Sequence, residues 1–389
     1  MKSGYPWRLA LFSAAYYMAN AAQQGYIAGY FRHQGAQGFS LTLLLAASPL
    51  AALAALPLWG ILGDRAHSRS RILRIMTFLA LVTSVLLGLG ARWGWMFFCA
   101  ALFSAVFPAI QPMGDSILLE ALEKDGHAFG PVRLVGCVAF ALANPLFGLA
   151  LEGRRIRLAP FLTASMLAVT LLCAALLPNL PGHQQGRQNR PGFLQLFSNR
   201  RMRLCLLLFM ILQMTMGYFY SFFPIYFPRL PGGSVTRLGL CHFIASISEI
   251  PFLLFSRKLY RRLGPGRLLL LAALCMGGRW LILFLTDNVW AVMAAQLFHG
   301  GGFIVITVAM ALYMADTAPR EWLASGQMVL GMCGFGAARL AGILTGGLLS
   351  QHLGGIRPCF GAMAGLCLGA AVFFTPWLFP RQKTTKNMD

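Results

Sequence analysis

Long apolar segments recur along the whole chain, and they constrain its fold more than any other feature. A helix needs about 20 apolar residues to cross the ~30 Å hydrocarbon core of a bilayer, and it satisfies its own backbone hydrogen bonds there. Twelve segments of this kind can be read from the sequence: 8–31, 40–62, 72–90, 95–122, 129–151, 158–178, 203–228, 235–257, 267–286, 289–316, 322–349 and 357–379. We therefore predict an all-α membrane protein with twelve transmembrane helices.

The composition agrees with this class and argues against several others. Hydrophobic residues make up 58% of the 389 residues and charged residues only 11%, whereas soluble domains carry about 25% charged residues. The net charge of +21 would otherwise suggest nucleic acid, but the basic residues lie in short loops between the apolar segments, which is the pattern that orients membrane helices. The nine cysteines all fall within apolar segments and lack metal-ligand spacing. We expect no metal site, no cofactor and no nucleic-acid partner.

A single hydrophilic stretch, 178–203, divides the predicted spans six and six. If both termini are cytoplasmic, 22 lysines and arginines lie in the inner loops or at the inner ends of spans, 8 lie on the outer side and 2, Arg279 and Arg339, lie deep within spans, as the positive-inside rule requires. We predict a monomer in the inner (plasma) membrane. Its predicted units are an N-terminal bundle (1–178), a cytoplasmic linker (179–202), a C-terminal bundle (203–380) and a cytoplasmic tail (381–389).

The two halves also repeat each other weakly. The segment P-L-W-G-I-L-G-D-R from Pro57 corresponds to P-F-L-L-F-S-R-K-L from Pro251, each followed by basic residues. On the fifth and eleventh spans, at an offset of 195 residues, the matching positions are Gly136 with Gly331 and Phe140 with Phe335. A repeated six-span unit is typical of transporters, whose substrate site lies between the repeats near the midplane. We therefore predict two pseudo-symmetric six-helix bundles around a central cavity.

Asp115 and Arg133 carry opposite charges on consecutive spans. A lone charge at the bilayer centre costs at least ~2.5–3.5 kcal/mol, so charged residues in spans usually pair and line a cavity. Arg133 lies only about one turn past the loop before its span, and it could instead end its helix among lipid headgroups. The pairing hypothesis places both residues in the wall of a water-filled, substrate-binding cavity.

Uncharged polar residues form a stripe on the first span and on its counterpart, the seventh. Tyr16, Asn20 and Gln23 share one helical face, and Gln213 and Tyr220 show the same spacing on the seventh span. Such residues either hydrogen-bond neighbouring helices or contact a substrate, and the sequence leaves both readings open.

Spans 8, 9 and 10 each carry an ionisable residue at depth: Glu249, Arg279 and His299. Each needs a partner there, and together they are candidates for proton coupling. A membrane histidine can also serve only as a hydrogen bond between helices. Arg339 on the eleventh span is ambiguous, because its long side chain could snorkel toward the outer leaflet or could serve a function.

The sequence resembles the major facilitator superfamily over nearly its whole length. Gly60, Asp64 and Arg65, followed by basic residues, resemble the loop motif between spans 2 and 3, although its usual second glycine is His67 here. F-G-P-V-R-L-V-G-C-V-A-F resembles the fifth span of lactose permease, phenylpropionate permease and nucleoside:proton symporter groups. Asp115, eighteen residues before Arg133, matches the lactose permease acid that pairs with its sugar-binding arginine. The segments S-I-S-E-I-P-F-L-L-F, G-G-R-W and Q-L-F-H-G-G-G-F resemble the phenylpropionate permease group.

This resemblance implies a secondary transporter rather than an enzyme. It implies proton-coupled symport of a small organic solute, such as an aromatic acid, sugar or nucleoside. One departure matters, because lactose permease carries its coupling glutamate where this chain has Gly302; Glu249 or Asp115 must then carry the proton. Proton-coupled efflux of drugs or metabolites is the alternative. An intramembrane enzyme is a remote one, since the spans lack H-E-x-x-H and G-x-S-x-G motifs.

Overall fold

A computed structural model describes residues 6–127, 129–182, 199–317 and 329–378, although it leaves out the side chain of Asp64. Most of the predicted linker, the C-terminal tail and the start of the predicted eleventh span lie outside the described residues. Twelve helices fill the described part. They are α1 (Trp7–His33), α2 (Gly38–Arg65), α3 (Arg69–Leu89), α4 (Trp93–Lys124), α5 (Phe129–Ala150), α6 (Ala159–Ala175), α7 (Arg200–Tyr226), α8 (Val235–Leu254), α9 (Ser256–Leu285), α10 (Val289–Thr317), α11 (Gly331–His352) and α12 (Ile356–Leu378).

Eleven of these helices are long and apolar enough to cross a membrane. Helix α1 has 27 residues, which is long enough to span, but its tyrosines, Asn20, Gln23 and Gln24 lower its mean hydropathy. Its buried residues lie all around the helix, so its polar groups face protein rather than lipid. The predicted all-α class and the twelve helices are confirmed.

Three helices of the second half depart from regular α geometry. Helix α9 is broken at Gly264, whose φ of 71° lies in the left-handed region that favours glycine. Its membrane-spanning part therefore begins after the break, close to the predicted start at residue 267. Helix α10 contains a 3-10 turn (Ala295–Leu297) and a π-helical turn (Gly300–Ile304), and α11 begins with a π-helical segment (Gly331–Ala338).

The first six helices pack mainly with one another, and so do the last six. In the first half, α1 packs on α5 and α6, while α4 packs on α2 and α3. In the second half, α9 packs on α12 and α10, while α7 packs on α11 and α12. Three helix pairs make most of the contacts between the halves: α5 with α8, α2 with α11 and α1 with α7. The interior site described below lies among these joining helices.

The halves are in close contact at the end of the molecule remote from the N-terminus. At the α5–α8 contact, a Cβ added to Gly148 would lie 2.7 Å from the carbonyl oxygen of Val235. At the α2–α11 contact, a Cβ added to Gly347 would lie 2.3 Å from Thr42 Oγ1. Glycine is needed at both places because any side chain would push the halves apart. The structure is therefore closed at this end.

Candidate functional site

The predicted ion pair between α4 and α5 is present. Arg133 Nη1 donates to both carboxylate oxygens of Asp115, at 3.1 and 3.0 Å. The side chains are 31% and 29% exposed, so the pair faces an accessible space rather than a sealed core. One guanidinium nitrogen serves both oxygens, which leaves part of the arginine fork for another partner. The alternative in which Arg133 simply ends its helix among headgroups does not describe this geometry.

Two residues that the sequence reasoning missed complete the surroundings of Arg133. The guanidinium carbon lies 4.5 Å from the ring centroid of Tyr17, a cation–π contact. With its amide oriented so that the oxygen faces these donors, Gln111 accepts from Tyr17 Oη at 3.1 Å and from Arg133 Nη2 at 2.9 Å. Gln111 precedes Asp115 by four residues, and this one-turn spacing on α4 was the signal available in the sequence.

The polar residues predicted to share one face of α1 lie in two different environments. Tyr16 is buried, with its ring stacked 5.7 Å from that of Phe107 inside the first half, so it does not share the environment of the other two. Asn20 and Gln23 are half-buried, and the described residues give neither side chain a hydrogen-bond partner. They remain free to contact a solute.

The second half brings Glu249, His299 and Arg279 together in one chain of contacts. His299 Nε2 lies 3.1 Å from Glu249 Oε1, and Arg279 Nη1 lies 2.8 Å from His299 Nδ1. Arg279 also donates to Gln296 Oε1 through Nη2. Arg279 and His299 are almost fully buried, whereas the Glu249 side chain is 21% exposed. The glutamate is therefore the accessible end of a buried relay.

The direction of hydrogen bonding in this relay follows from arginine chemistry. A guanidinium can only donate, so Nδ1 of His299 must accept from Arg279. A neutral His299 then carries its proton on Nε2 and donates it to Glu249. Arg279 thus reaches the glutamate only through the histidine, an order that sequence spacing does not reveal.

Gln213 and Tyr220, the predicted residues of α7, both contact Arg339. Gln213 Oε1 accepts from Arg339 Nε at 3.1 Å, and the Tyr220 ring centroid lies 5.0 Å from the Arg339 guanidinium carbon. Tyr220 Oη also lies 3.4 Å from His299 Nε2. Arg339 therefore points into the protein next to the relay, and the snorkelling alternative is wrong.

The predicted loop motif lies apart from these groups. Gly60 has open space around it and Arg65 is exposed, while the side chain of Asp64 lies outside the described residues. The basic residue with a structural role is Arg69, which is 2% exposed and pairs with Glu120. Lys124 also binds Glu120, at 2.9 Å. This network joins α3 to α4 within the first half.

Glu152 forms a clasp between the halves that the sequence reasoning missed. It follows α5, and its carboxylate accepts from the backbone amides of Val235 and Thr236 at 3.3 and 2.7 Å and from Thr236 Oγ1 at 2.7 Å. It thereby caps α8 from the other half, where the helix dipole favours a negative charge. Burial raises the pKa of Glu152, but these hydrogen bonds outweigh it, so the pKa lies below its ordinary value.

We expect Glu152→Ala to loosen the closed end. A lost helix cap costs about 0.5–2 kcal/mol, so hydrogen exchange of the amides of Val235 and Thr236 should be roughly 2- to 30-fold faster. Because the pKa of Glu152 is lowered, the clasp is fully formed above the ordinary carboxylate pKa. It weakens only as the pH falls through the lowered value. Hydrogen exchange followed by mass spectrometry, at neutral pH and at the lowest pH the protein tolerates, measures both effects.

Asp287→Ala is the matched control for this experiment. Asp287 binds Arg357 at 2.5 Å within the second half, so its loss should leave exchange at the start of α8 unchanged. Equal exchange in Glu152→Ala and the parent would show that the clasp does not hold the halves together.

The interior thus carries ionisable side chains from both halves, on opposite sides of one space. Asp115 and Arg133 come from the first half, and Glu249 and its relay come from the second. No group of three or more metal-ligating side chains occurs among the described residues. Paired carboxylates and arginines without a metal can bind polar solutes and can exchange protons.

Comparison with known proteins agrees with this architecture. The sequence profile of the MFS_1 like family matches residues 6–361. The chain is 29% identical to the maltose permease of Geobacillus stearothermophilus over 318 residues, which cover 81% of this chain and 80% of the permease. It is 28% identical to the probable 3-phenylpropionic acid transporter of Escherichia coli K12 over 329 residues, covering 82% and 84% of the two chains.

Solved structures show the same fold. The crystal structure of the nucleoside transporter NupG superposes with a TM-score of 0.80 at 18% identity, over 95% of this chain and 98% of NupG. A bacterial homologue of the human lysosomal transporter Spinster, crystallised inward-facing and unoccupied, gives a TM-score of 0.69 at 16% identity, over 96% and 97% of the two chains. Twelve helices in two halves around a charged interior define a secondary transporter of small solutes. The chain belongs to the MFS_1 like family of major facilitator transporters.

Proposed function

We propose that this protein is a proton-coupled symporter of a small organic solute in the bacterial plasma membrane. The observation that carries the proposal is the Glu249–His299–Arg279 relay, which ends in an accessible carboxylate of the second half, together with the accessible Asp115–Arg133 pair of the first half. A solute bound between the two groups would contact both halves at once. Its binding and the protonation of Glu249 would then act on the same interface.

Alternating access follows from the arrangement of the halves. They meet through glycines and the Glu152 clasp at one end, while the charged interior remains accessible. Opening the clasped end and closing the other would expose the same residues to the opposite side. We place both termini in the cytoplasm because the predicted loops on that side carry most of the basic residues. The two halves then correspond to units 1–178 and 203–380, joined by 179–202, with a tail over 381–389.

Each group has a proposed role. Arg133 offers the solute those N–H groups that bind neither Asp115 nor Gln111, and Asp115 holds Arg133 in place, while Asn20 and Gln23 line the same space. Tyr220 lines it from the second half, where the buried Gln213 holds Arg339 in place. Glu249 carries the proton, and His299 connects Glu249 to Arg279. The permanent positive charge of Arg279 favours the ionised carboxylate and therefore the release of the proton from Glu249.

Solute uptake into vesicles tests this function. The purified protein is reconstituted as a monomer, and an imposed pH gradient, acid outside, drives uptake of radiolabelled sugars, nucleosides or aromatic acids. We expect one class to accumulate above equilibrium and a protonophore to abolish the accumulation. Uptake that only equilibrates, with the same rate at every pH gradient, would refute proton coupling. Expulsion of preloaded solute by the same gradient would instead support antiport.

A further inference from the structure

Arg339 is a charge in the protein interior that no carboxylate among the described residues compensates. Its Nε donates to Gln213, but its Nη2 is buried and has no hydrogen-bond partner in the described part of the chain. The described residues place Asp115 beside Arg133 and Glu249 at the end of the relay to Arg279. Two carboxylates therefore serve two arginines, and Arg339 remains as the third cation.

Aromatic rings surround the Arg339 guanidinium in place of an acid. The guanidinium carbon lies 5.0 Å from the ring centroid of Tyr220, 5.7 Å from that of Phe303 and 4.8 Å from that of Phe335. Cation–π contacts of this kind offset part of the cost of burying the charge. The rings supply no hydrogen-bond acceptor, and Nη2 finds none among the described residues. The site is thus incomplete in a way that an anion would complete.

The chemistry of the missing partner follows from these groups. A planar carboxylate matches the guanidinium fork and forms two parallel hydrogen bonds. A flat or apolar body attached to it would lie against Phe335, which is 41% exposed, and Phe303. A neutral hydroxyl could accept one hydrogen bond but would leave the charge uncompensated.

We propose that Arg339 binds the carboxylate of the transported solute, and that the solute is a monocarboxylate with an aromatic or apolar body. This inference rests on the proposed transport function and adds the substrate class. It has a consequence for charge movement: one monocarboxylate carried with one proton moves no net charge. Transport should therefore respond to the pH gradient and not to an imposed membrane potential.

A matched pair of probes tests the proposal: 3-phenylpropionate and its neutral isostere, 3-phenylpropionamide. Binding to the purified full-length protein is measured as thermal stabilisation against probe concentration. We expect the parent to prefer the carboxylate, and Arg339→Gln to lose ~30-fold or more in carboxylate affinity while amide binding changes little. Arg339→Lys keeps the charge without the fork and should retain part of the preference.

Arg200→Gln is the control, since Arg200 also stacks on an aromatic ring, 4.9 Å from the Trp377 centroid, but lies at the start of α7 away from the site. It should behave as the parent. An unchanged carboxylate preference in Arg339→Gln would overturn the proposal, as would a parent that binds neither probe while it accumulates a sugar or nucleoside. Arg339-dependent carboxylate binding without pH-driven uptake would support this inference and refute the coupling instead.

Discussion

Glu249→Gln should retain solute exchange across the membrane and lose accumulation driven by a pH gradient. Glutamine has the shape of a protonated glutamate but cannot release a proton. His299 Nε2, 3.1 Å from Glu249 Oε1 in the parent, can still donate to the amide oxygen, so the fold and the solute site should persist. We expect counterflow of labelled solute at a rate within about threefold of the parent rate. Accumulation should fall to the equilibrium level, because a group fixed in one protonation state cannot couple solute movement to the proton gradient.

The matched variant is Asp115→Asn, because Asp115 is the rival proton carrier. It removes a negative charge from the opposite half, 3.0 Å from Arg133 Nη1 in the parent. The amide oxygen of asparagine can still accept a hydrogen bond from Arg133, but the charge of Arg133 is no longer compensated. We expect this variant to bind the solute more weakly, whereas Glu249→Gln should affect only the coupling to protons. If Glu249→Gln accumulates solute as the parent does while Asp115→Asn only exchanges it, the two roles are reversed.

Arg133→Lys should abolish most solute binding without unfolding the protein. A lysine ammonium can approach Asp115, but it cannot also bind Gln111 in the plane of a guanidinium fork, nor stack as well on Tyr17. Losing one partner of a buried, charge-assisted contact costs about 2–5 kcal/mol, so affinity should fall roughly 30-fold or more. Isothermal titration or thermal stabilisation with the solute identified by uptake measures the loss.

Arg65→Lys controls for an arginine exchange elsewhere in the first half. Arg65 is exposed at the end of α2, so solute affinity should stay at the parent value. Parent-like affinity in Arg133→Lys would remove Arg133 from the solute site. Reduced affinity in both variants would point to a general loss of structure.

The fold was accessible from the sequence because the bilayer imposes a length and a composition on every span. Only α1 departs from the apolar pattern, and its polar residues are those that face other helices. The hydrophobic segments could not reveal the break at Gly264 or the π-helical turns. Those features depend on local packing, which hydropathy does not record.

The site was accessible in part, for a different reason. An unpaired charge such as that of Asp115 is so unfavourable in a membrane that a residue of opposite charge is expected beside it. Arg133, on the next span, was the candidate in the sequence. The order of contacts among Glu249, His299 and Arg279 depends instead on how three helices are rotated about their axes. The neighbouring Tyr16 and Tyr17 show the limit: helical spacing favoured the first, whereas the structure places the second against Arg133.

Glu152 shows a second limit of sequence reasoning. Its partners are backbone amides of α8, 83 and 84 residues away in the chain. Backbone groups are present at every residue and leave no trace in the sequence. A carboxylate that caps a helix of the other half can therefore be recognised only once the two halves have been placed together.

The π-helical turns of α10 and α11 bear on which changes of chain length such a transporter can tolerate. His299 immediately precedes the turn Gly300–Ile304, and Arg339 immediately follows the segment Gly331–Ala338. A π-helical turn accommodates one residue more than an α-helical turn, so the helix on either side of it keeps its rotation about the axis. Loss of a single codon within Gly300–Gly302 would therefore restore a regular α-helical turn and leave His299 aligned with the rest of α10. Descendants of one ancestral gene could lose such a residue without a change in the binding geometry.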